Sequence, residues 1–212
     1  MTSLLHQSVI GAFYPFTSKY EGVIYWMYLD VKGLVTTGLG YLIDSVEAAA
    51  MLPWKKPDGS DASVEEIEAE WLWVKNDREL AVRGAGLAKS VTKLRLLPED
   101  VERITDERLE VFVEKLVESF PEFADMPADA QLGLCSMAWA MGPGFAKKFP
   151  RFTAHVRAGD FKSAAEECAI NSAGNPGVVP RNRANKQLFL NAAKVAASCG
   201  DITQLTWVTE PA

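Results

Sequence analysis

The 212 residues carry 22 Lys and Arg against 28 Asp and Glu, a net charge of −6. That balance argues against nucleic acid as the main partner, because phosphate binding draws on clustered Lys and Arg. With 48% hydrophobic residues but no run near ~18 consecutive apolar ones, the chain reads as globular without a membrane span. It is long enough for one large domain or two small lobes.

Residues 4–16 are mildly apolar. They lack the basic start and the small-residue cleavage site of a signal peptide, so none is recognised, and an added helix packed on the core is expected. Pro15 suits a first helical turn, where its missing N–H has no partner anyway. A short helix from there is expected to end at Glu21, with Gly22 closing it in the left-handed conformation. Glu21 then stands at the negative end of the helix dipole, which disfavours an ionised carboxyl group.

Residues 23–29 are rich in β-branched and aromatic side chains and read as a strand. Val31, Lys32 and Gly33 fit a three-residue hairpin loop with Gly33 in its left-handed position. That register pairs Asp30 with Leu34 and Tyr28 with Thr36, and period-two alternation puts Asp30 and Thr36 on one face. Gly38 and Gly40 either admit close backbone approach or simply make a turn, and residues 41–43 offer a third strand. Glu21, Asp30 and Thr36 supply two carboxyl groups and a hydroxyl, the parts needed to hydrolyse a glycosidic bond. One acid protonates the leaving oxygen while the other, ionised, activates a water. Such residues also meet by chance in most proteins of this size, so spacing alone leaves both readings open.

Farther on, Ser45 is an N-cap for a helix through residue 51, with Glu47 near its start, and Pro53 ends it. Residues 55–61 form a polar loop broken by Pro57 and Gly59. Residues 62–83 read as one long helix with Ile67, Trp71 and Val74 on its apolar side. Trp71 and Trp73 are either a sugar-stacking platform or packing aromatics. Thr105 is expected to begin a helix running to about residue 119, striped by Leu109, Phe112, Val113 and Leu116. Helices around 128–141, 149–157, 161–170 and 181–198 follow, with loops near 171–179 and after Cys199. Three cysteines, Cys135, Cys168 and Cys199, cannot pair completely, and the first two sit in apolar helical contexts as small core residues. His6 and His155 are the only histidines and no close Cys/His spacing occurs, so neither a metal site nor a cofactor is expected. The cysteine pattern suits synthesis in a reducing cytosol.

The stretch EGVIYWMYLDVKGLVTTGLGY, residues 21–41, resembles the catalytic signature of the T-even phage lysozyme family, glycoside hydrolase family 24. Two distant stretches agree. MAWAMGPGFAKKFPRFTAHVRAGDFKSAAEECA, residues 137–169, is similar to that family's C-terminal lobe. PRNRA, residues 180–184, is similar to the element opening its last large helix. Residues 13–44 and about 104–196 are covered, in the family's order. The departures are Tyr41 where the family usually has His, some ten extra N-terminal residues, a long segment over 52–103 in place of a short connection, and an acidic balance.

The resemblance implies an α+β, predominantly helical, lysozyme-like fold, with a small β-hairpin lobe, a larger helical lobe and a glycan cleft. Along a single domain spanning 1–212 it implies an N-terminal extension over 1–12 and a catalytic helix with the β lobe over 13–51. An inserted helical segment over 52–103, a helical lobe over 104–199 and a tail over 200–212 follow. It implies a muramidase acting on peptidoglycan glycan strands, with Glu21 as general acid, Asp30 and Thr36 positioning water, and Arg183, Gly40 and Tyr41 binding or positioning substrate. Arg183 matches the family arginine that pairs with the catalytic acid. A monomeric phage endolysin made in the bacterial host's cytoplasm and acting in the periplasm is the first expectation. An antibacterial toxin with its immunity or inhibitor protein, or a catalytically idle fold that binds glycan or protein, are the alternatives.

Overall fold

The computed structural model of the chain describes residues 4–206; of the expected extension and tail, residues 1–3 and 207–212 lie outside the described part. The chain is α+β and mostly helical, with one three-stranded antiparallel sheet.

The first helix, α1 (Gln7–Thr17), buries Val9, Phe13 and Phe16 at helical spacing. It corrects the expected helix from Pro15 to Glu21. Pro15 lies inside α1 close to its C-terminal end, and its missing N–H leaves only the carbonyl of exposed Gly11 without a helical donor. A turn over 18–20 and a bend at Glu21 follow, and Gly22 is not among the glycines with positive φ. Glu21 therefore stands beyond the last helical turn, outside the short reach of the helix dipole.

The strands β1 (Ile24–Leu29), β2 (Val35–Gly38) and β3 (Tyr41–Leu42) form the sheet in that order. Tyr28 pairs with Thr36 and Asp30 N–H donates to the Leu34 carbonyl at 2.9 Å, the expected register. Gly33 takes φ 74° in the expected hairpin loop. Next, α2 (Val46–Ala50) starts at Ser45, whose hydroxyl accepts from Ala48 N–H.

The long helix expected over 62–83 is two helices, α3 (Val64–Asn76) and α4 (Arg78–Val91). Asp77 separates them by taking an extended conformation and accepting from the N–H groups of Glu79 and Leu80, so it caps the second helix instead of continuing the first. Ser63 and Glu66 close a reciprocal capping box at the start of α3. α4 is itself kinked at Gly84, φ 65°. The helix expected to begin at Thr105 instead begins seven residues earlier: α5 (Pro98–Ser119) uses Pro98 as its first residue and carries Glu99 and Asp100 in its first turn. Thr105 is buried inside it, its hydroxyl donating to the Val101 carbonyl at 2.7 Å.

Helices α6 (Ala128–Met141), α7 (Pro150–Arg157), α8 (Phe161–Glu167) and α9 (Val178–Ser198) complete the order. α9 opens three residues before its expected start at 181, and so takes in the end of the loop expected over 171–179. Pro180 falls in its first turn, where no helical N–H partner is lost.

The chain divides into two compact units, residues 21–105 and residues 1–20 with 106–212. In the larger, α6 is buried on nearly all sides and packs against α1 and α9, while α8 packs on α7 and α9. Cys135 and Cys168 are buried there and Cys199 is exposed, all three as free thiols. Burial pushes the Cys168 thiol up to about 11, so it behaves as a small apolar residue. In the smaller unit α3 packs on β1, β2 and α2, and α4 packs on β1. Met27, Val35, Ile43, Trp71 and Val74 are buried in this unit.

Candidate active site

The hairpin brings two of the expected residues, Asp30 and Thr36, to one region of the smaller unit, in which Glu21 also lies. Asp30 follows β1 directly, Thr36 lies in β2, and Tyr28 is the register partner of Thr36. Alternation along both strands puts Tyr28, Asp30 and Thr36 on the same face. Glu21 precedes β1 by three residues and is half-buried, as are Tyr28 and Asp30. Burial first, then the charge of Asp30, then that of Glu21, hold the Tyr28 phenol above its usual value of 10.0. Both carboxyl groups therefore act on one side chain of that face. The register that pairs Tyr28 with Thr36 is the signal in the sequence that points to it.

The two polar groups of the hairpin are oriented by its own backbone. Asp30 Oδ1 accepts from the N–H of Lys32 at 2.8 Å and of Leu34 at 2.9 Å, which closes the loop. Thr36 is buried, and its hydroxyl donates to the Leu34 carbonyl at 3.1 Å. With its proton so directed, Thr36 Oγ1 presents lone pairs rather than a donor. The second Asp30 oxygen is likewise an acceptor when ionised. A water that donates one proton to each would turn its own lone pair outward.

Gly40 has φ 75° and is exposed, and a Cβ there would meet nothing within 4 Å. It is a turn glycine, required by backbone conformation. Gly38, φ 58°, plays the same part at the end of β2, and a Cβ there would be in ordinary contact with Val101 and Ile104. Tyr41 is half-buried in β3 opposite Thr37.

Arg183 of α9 is exposed. The buried arginine of that helix is Arg181, 4% exposed, with its guanidinium 5.6 Å from the ring centre of Tyr20, the residue before Glu21 in the chain. Helical phase explains the choice: residues 181, 184, 185, 188 and 192 form the buried stripe of α9, and 183 points away from it. The apolar spacing of Ala184, Leu188 and Ala192 is the signal in the sequence that places Arg181 on the buried side.

Of the two tryptophans singled out on α3, Trp71 is a packing residue, buried with its indole N–H donating to the Ile43 carbonyl at 2.7 Å. Trp73 is 44% exposed. Among the described residues, no group of three or more His, Cys, Asp or Glu side chains is placed to hold a metal ion, and no helix is long and apolar enough to cross a membrane.

No protein-family model matches this chain, and no curated protein sequence matches it either.

Proposed function

We propose that this protein is a peptidoglycan muramidase with a lysozyme-like fold, hydrolysing the β-1,4 bond between N-acetylmuramic acid and N-acetylglucosamine. The observation that supports the reading is the hairpin register, which puts Asp30 and Thr36 on one face beside Tyr28, with Glu21 three residues before β1. Glu21 gives its proton to the glycosidic oxygen as the bond to the anomeric carbon breaks. A water held by Asp30 and Thr36 adds to that carbon from the opposite face, and its proton passes to Asp30. This sequence inverts configuration and calls for about 6.5–9.5 Å between the two carboxyl groups. The residue resemblance to family 24 supplies the choice of sugar and linkage. In this reading the protein is a phage endolysin, made in the host cytoplasm and acting on periplasmic peptidoglycan. A toxin paired with an immunity protein would use the same chemistry.

One observation favours a second reading, an idle fold that binds glycan. Asp30 Oδ1 already serves the hairpin loop, so the residue has a structural use whether or not it activates water.

The test is release of soluble fragments from dye-labelled sacculi, with mass spectrometry of the new ends. Reducing muramic ends support the proposal, anhydro ends indicate a transglycosylase, and no release supports the binding reading. Glu21→Gln keeps the shape of the side chain but has no transferable proton, and it should lower turnover by about 10²–10⁴-fold with folding intact. A Glu21→Gln protein that clears sacculi at the wild-type rate removes Glu21 as the acid.

A further inference from the structure

Five tryptophans lie in the described chain, and four of them are occupied with packing. Trp26, Trp54 and Trp71 donate their indole N–H to the carbonyls of Ala85, Ala49 and Ile43, at 2.8, 2.9 and 2.7 Å. Trp139 packs edge-on against Phe13 and tilts on Phe112. Trp73 differs. It is 44% exposed, and among the described residues its indole has no hydrogen bond or ring partner. It lines a surface groove of about 490 Å³, together with Lys56, Glu66, Glu70, Val91 and Lys93. That volume lies within the roughly 300–1,000 Å³ usual for small-ligand sites.

The groove is built rather than incidental. Its walls come from α3, from the loop after α2 and from the segment after α4, and backbone bonds fix them to one another. Lys55 and Arg95 exchange N–H and carbonyl bonds at 2.7 and 2.9 Å. Glu70 accepts from the N–H of Lys93 at 2.7 Å and of Leu94 at 3.0 Å. Lys56 Nζ lies 3.6 Å from Glu66. A preformed wall spends less of its binding energy on ordering.

Its chemistry narrows the occupant. Two lysines and two glutamates line the groove, so its formal charge is zero and neither a polyanion nor a polycation is favoured. An indole face flanked by both donors and acceptors suits a ligand with one apolar face and a rim of hydroxyl and amide groups. Those are the features of a neutral sugar ring, with stacking supplied by the aromatic face. We infer that the Trp73 groove is an accessory glycan-binding site, taking an N-acetylhexosamine unit of the strand away from the bond that is cut. The identity of the polymer rests on the muramidase reading; the sugar chemistry rests on the groove itself. The site gives the segment over 52–103 a function of its own, that of holding the polymer while the hairpin works on it.

The probe is tri-N-acetylchitotriose, added to full-length Glu21→Gln protein and followed by two-dimensional NMR of the indole N–H signals, with the Trp73 signal identified by its loss in Trp73→Phe. The expected result is a saturable shift of that signal, and at least ~10-fold weaker retention on sacculi for Trp73→Ala, in keeping with the loss of an aromatic anchor. Near-ultraviolet circular dichroism and thermal midpoint should stay at wild-type values, since the side chain is exposed. A Trp73 signal that stays fixed, or one that moves with an acidic peptide but not with the sugar, overturns the inference, as does unchanged retention of Trp73→Ala. Cleavage of sacculi by the wild-type chain is scored separately. A moving Trp73 signal without cleavage sinks the hydrolase and leaves the groove standing, and cleavage with a fixed signal does the reverse.

Discussion

Asp30 has two uses in this structure, and two substitutions separate them. Its Oδ1 accepts two backbone N–H groups, from Lys32 at 2.8 Å and Leu34 at 2.9 Å. Asp30→Ala removes both bonds; at about 0.5–1.5 kcal/mol each, this costs about 1–3 kcal/mol. Asp30→Asn keeps a carbonyl oxygen in the same place and should cost under about 1 kcal/mol. A domain stable by about 5–15 kcal/mol remains overwhelmingly folded after either loss. Unfolding therefore cannot produce a large fall in activity at moderate temperature. Loss of a general base removes about 10²–10⁴-fold, equivalent to roughly 3–5 kcal/mol of barrier.

The expected pattern is thus a urea midpoint near wild type for Asp30→Asn, a lower one for Asp30→Ala, and a comparable collapse of sacculus cleavage in both. Urea melts and dye release on the same preparations supply the comparison. If Asp30→Asn both melts and cleaves like wild type, Asp30 holds the loop and nothing more, and the water must be activated elsewhere.

Three further outcomes follow from neighbouring geometry. A Cβ at Gly133 would sit 2.9 Å from Phe189 Cζ and 3.0 Å from its Cε2, and that ring is also packed on Phe152, so it has little room to yield. Overpacking of about 1–3 kcal/mol should outweigh the helix-propensity gain of up to about 1 kcal/mol, so Gly133→Ala lowers the thermal midpoint and Phe189→Leu in the same chain restores part of it. For Tyr28, whose pKa is raised above 10.0, the unfolded chain ionises first as pH rises, so the stabilising effect is complete below 10.0 and is lost on passing through the higher folded value; alkaline melts should fall more steeply for wild type than for Tyr28→Phe, and equal slopes would refute the shift. On α9, Arg181→Ala, at a buried position, should lower the thermal midpoint, whereas Arg183→Ala, at an exposed one, should stay within about 0.5 kcal/mol of wild-type stability; the reverse order would refute the assignment of the buried stripe.

What could be read in advance depended on how local its cause was. The hairpin register was legible because Gly33 and alternation fix it within a dozen residues, and the structure pairs Tyr28 with Thr36 as expected. The cap at Ser45 and the span of α6 were legible for the same reason. The end of α1 was not, since Pro15 reads as a helix start unless one knows that Val9, Phe13 and Phe16 bury a face running through it. The break at Asp77 was missed because a charged residue amid helix formers looks like helix surface, and only its extended backbone and its bonds to Glu79 and Leu80 show it as a cap. Arg183 was chosen by its place in a motif. Burial on a helix follows a period of 3.6, and that phase buries Arg181 and leaves Arg183 exposed.

The segment over 52–103, legible as a polar loop and a helical stretch with Ile67, Trp71 and Val74 on its apolar side, also forms the frame of the hairpin. Lys75 of α3 donates to the Gly33 carbonyl at 3.1 Å and to Asp44 at 2.7 Å, and Asp44 in turn accepts from Val35 N–H at 2.9 Å. Burial raises the Asp44 carboxyl, but the bonds from Lys75 and Val35 outweigh it and hold the group below its usual 3.8. Trp71 is bonded to the Ile43 carbonyl, Trp26 to the Ala85 carbonyl, and Leu96 N–H to the Tyr25 carbonyl at 2.8 Å. Each strand of the hairpin is thereby tied to a helix or to the segment leaving one. A two-stranded ribbon is marginal in water by itself, and its register holds only where other elements cover it. The loop that orients Asp30 and the strand that orients Thr36 are in that sense products of α3 and α4. The proposed catalysis tolerates little looseness in the groups behind it, and a segment bonded to Gly33, Ile43, Trp26 and Tyr25 is a physical reason for the hairpin to keep one arrangement.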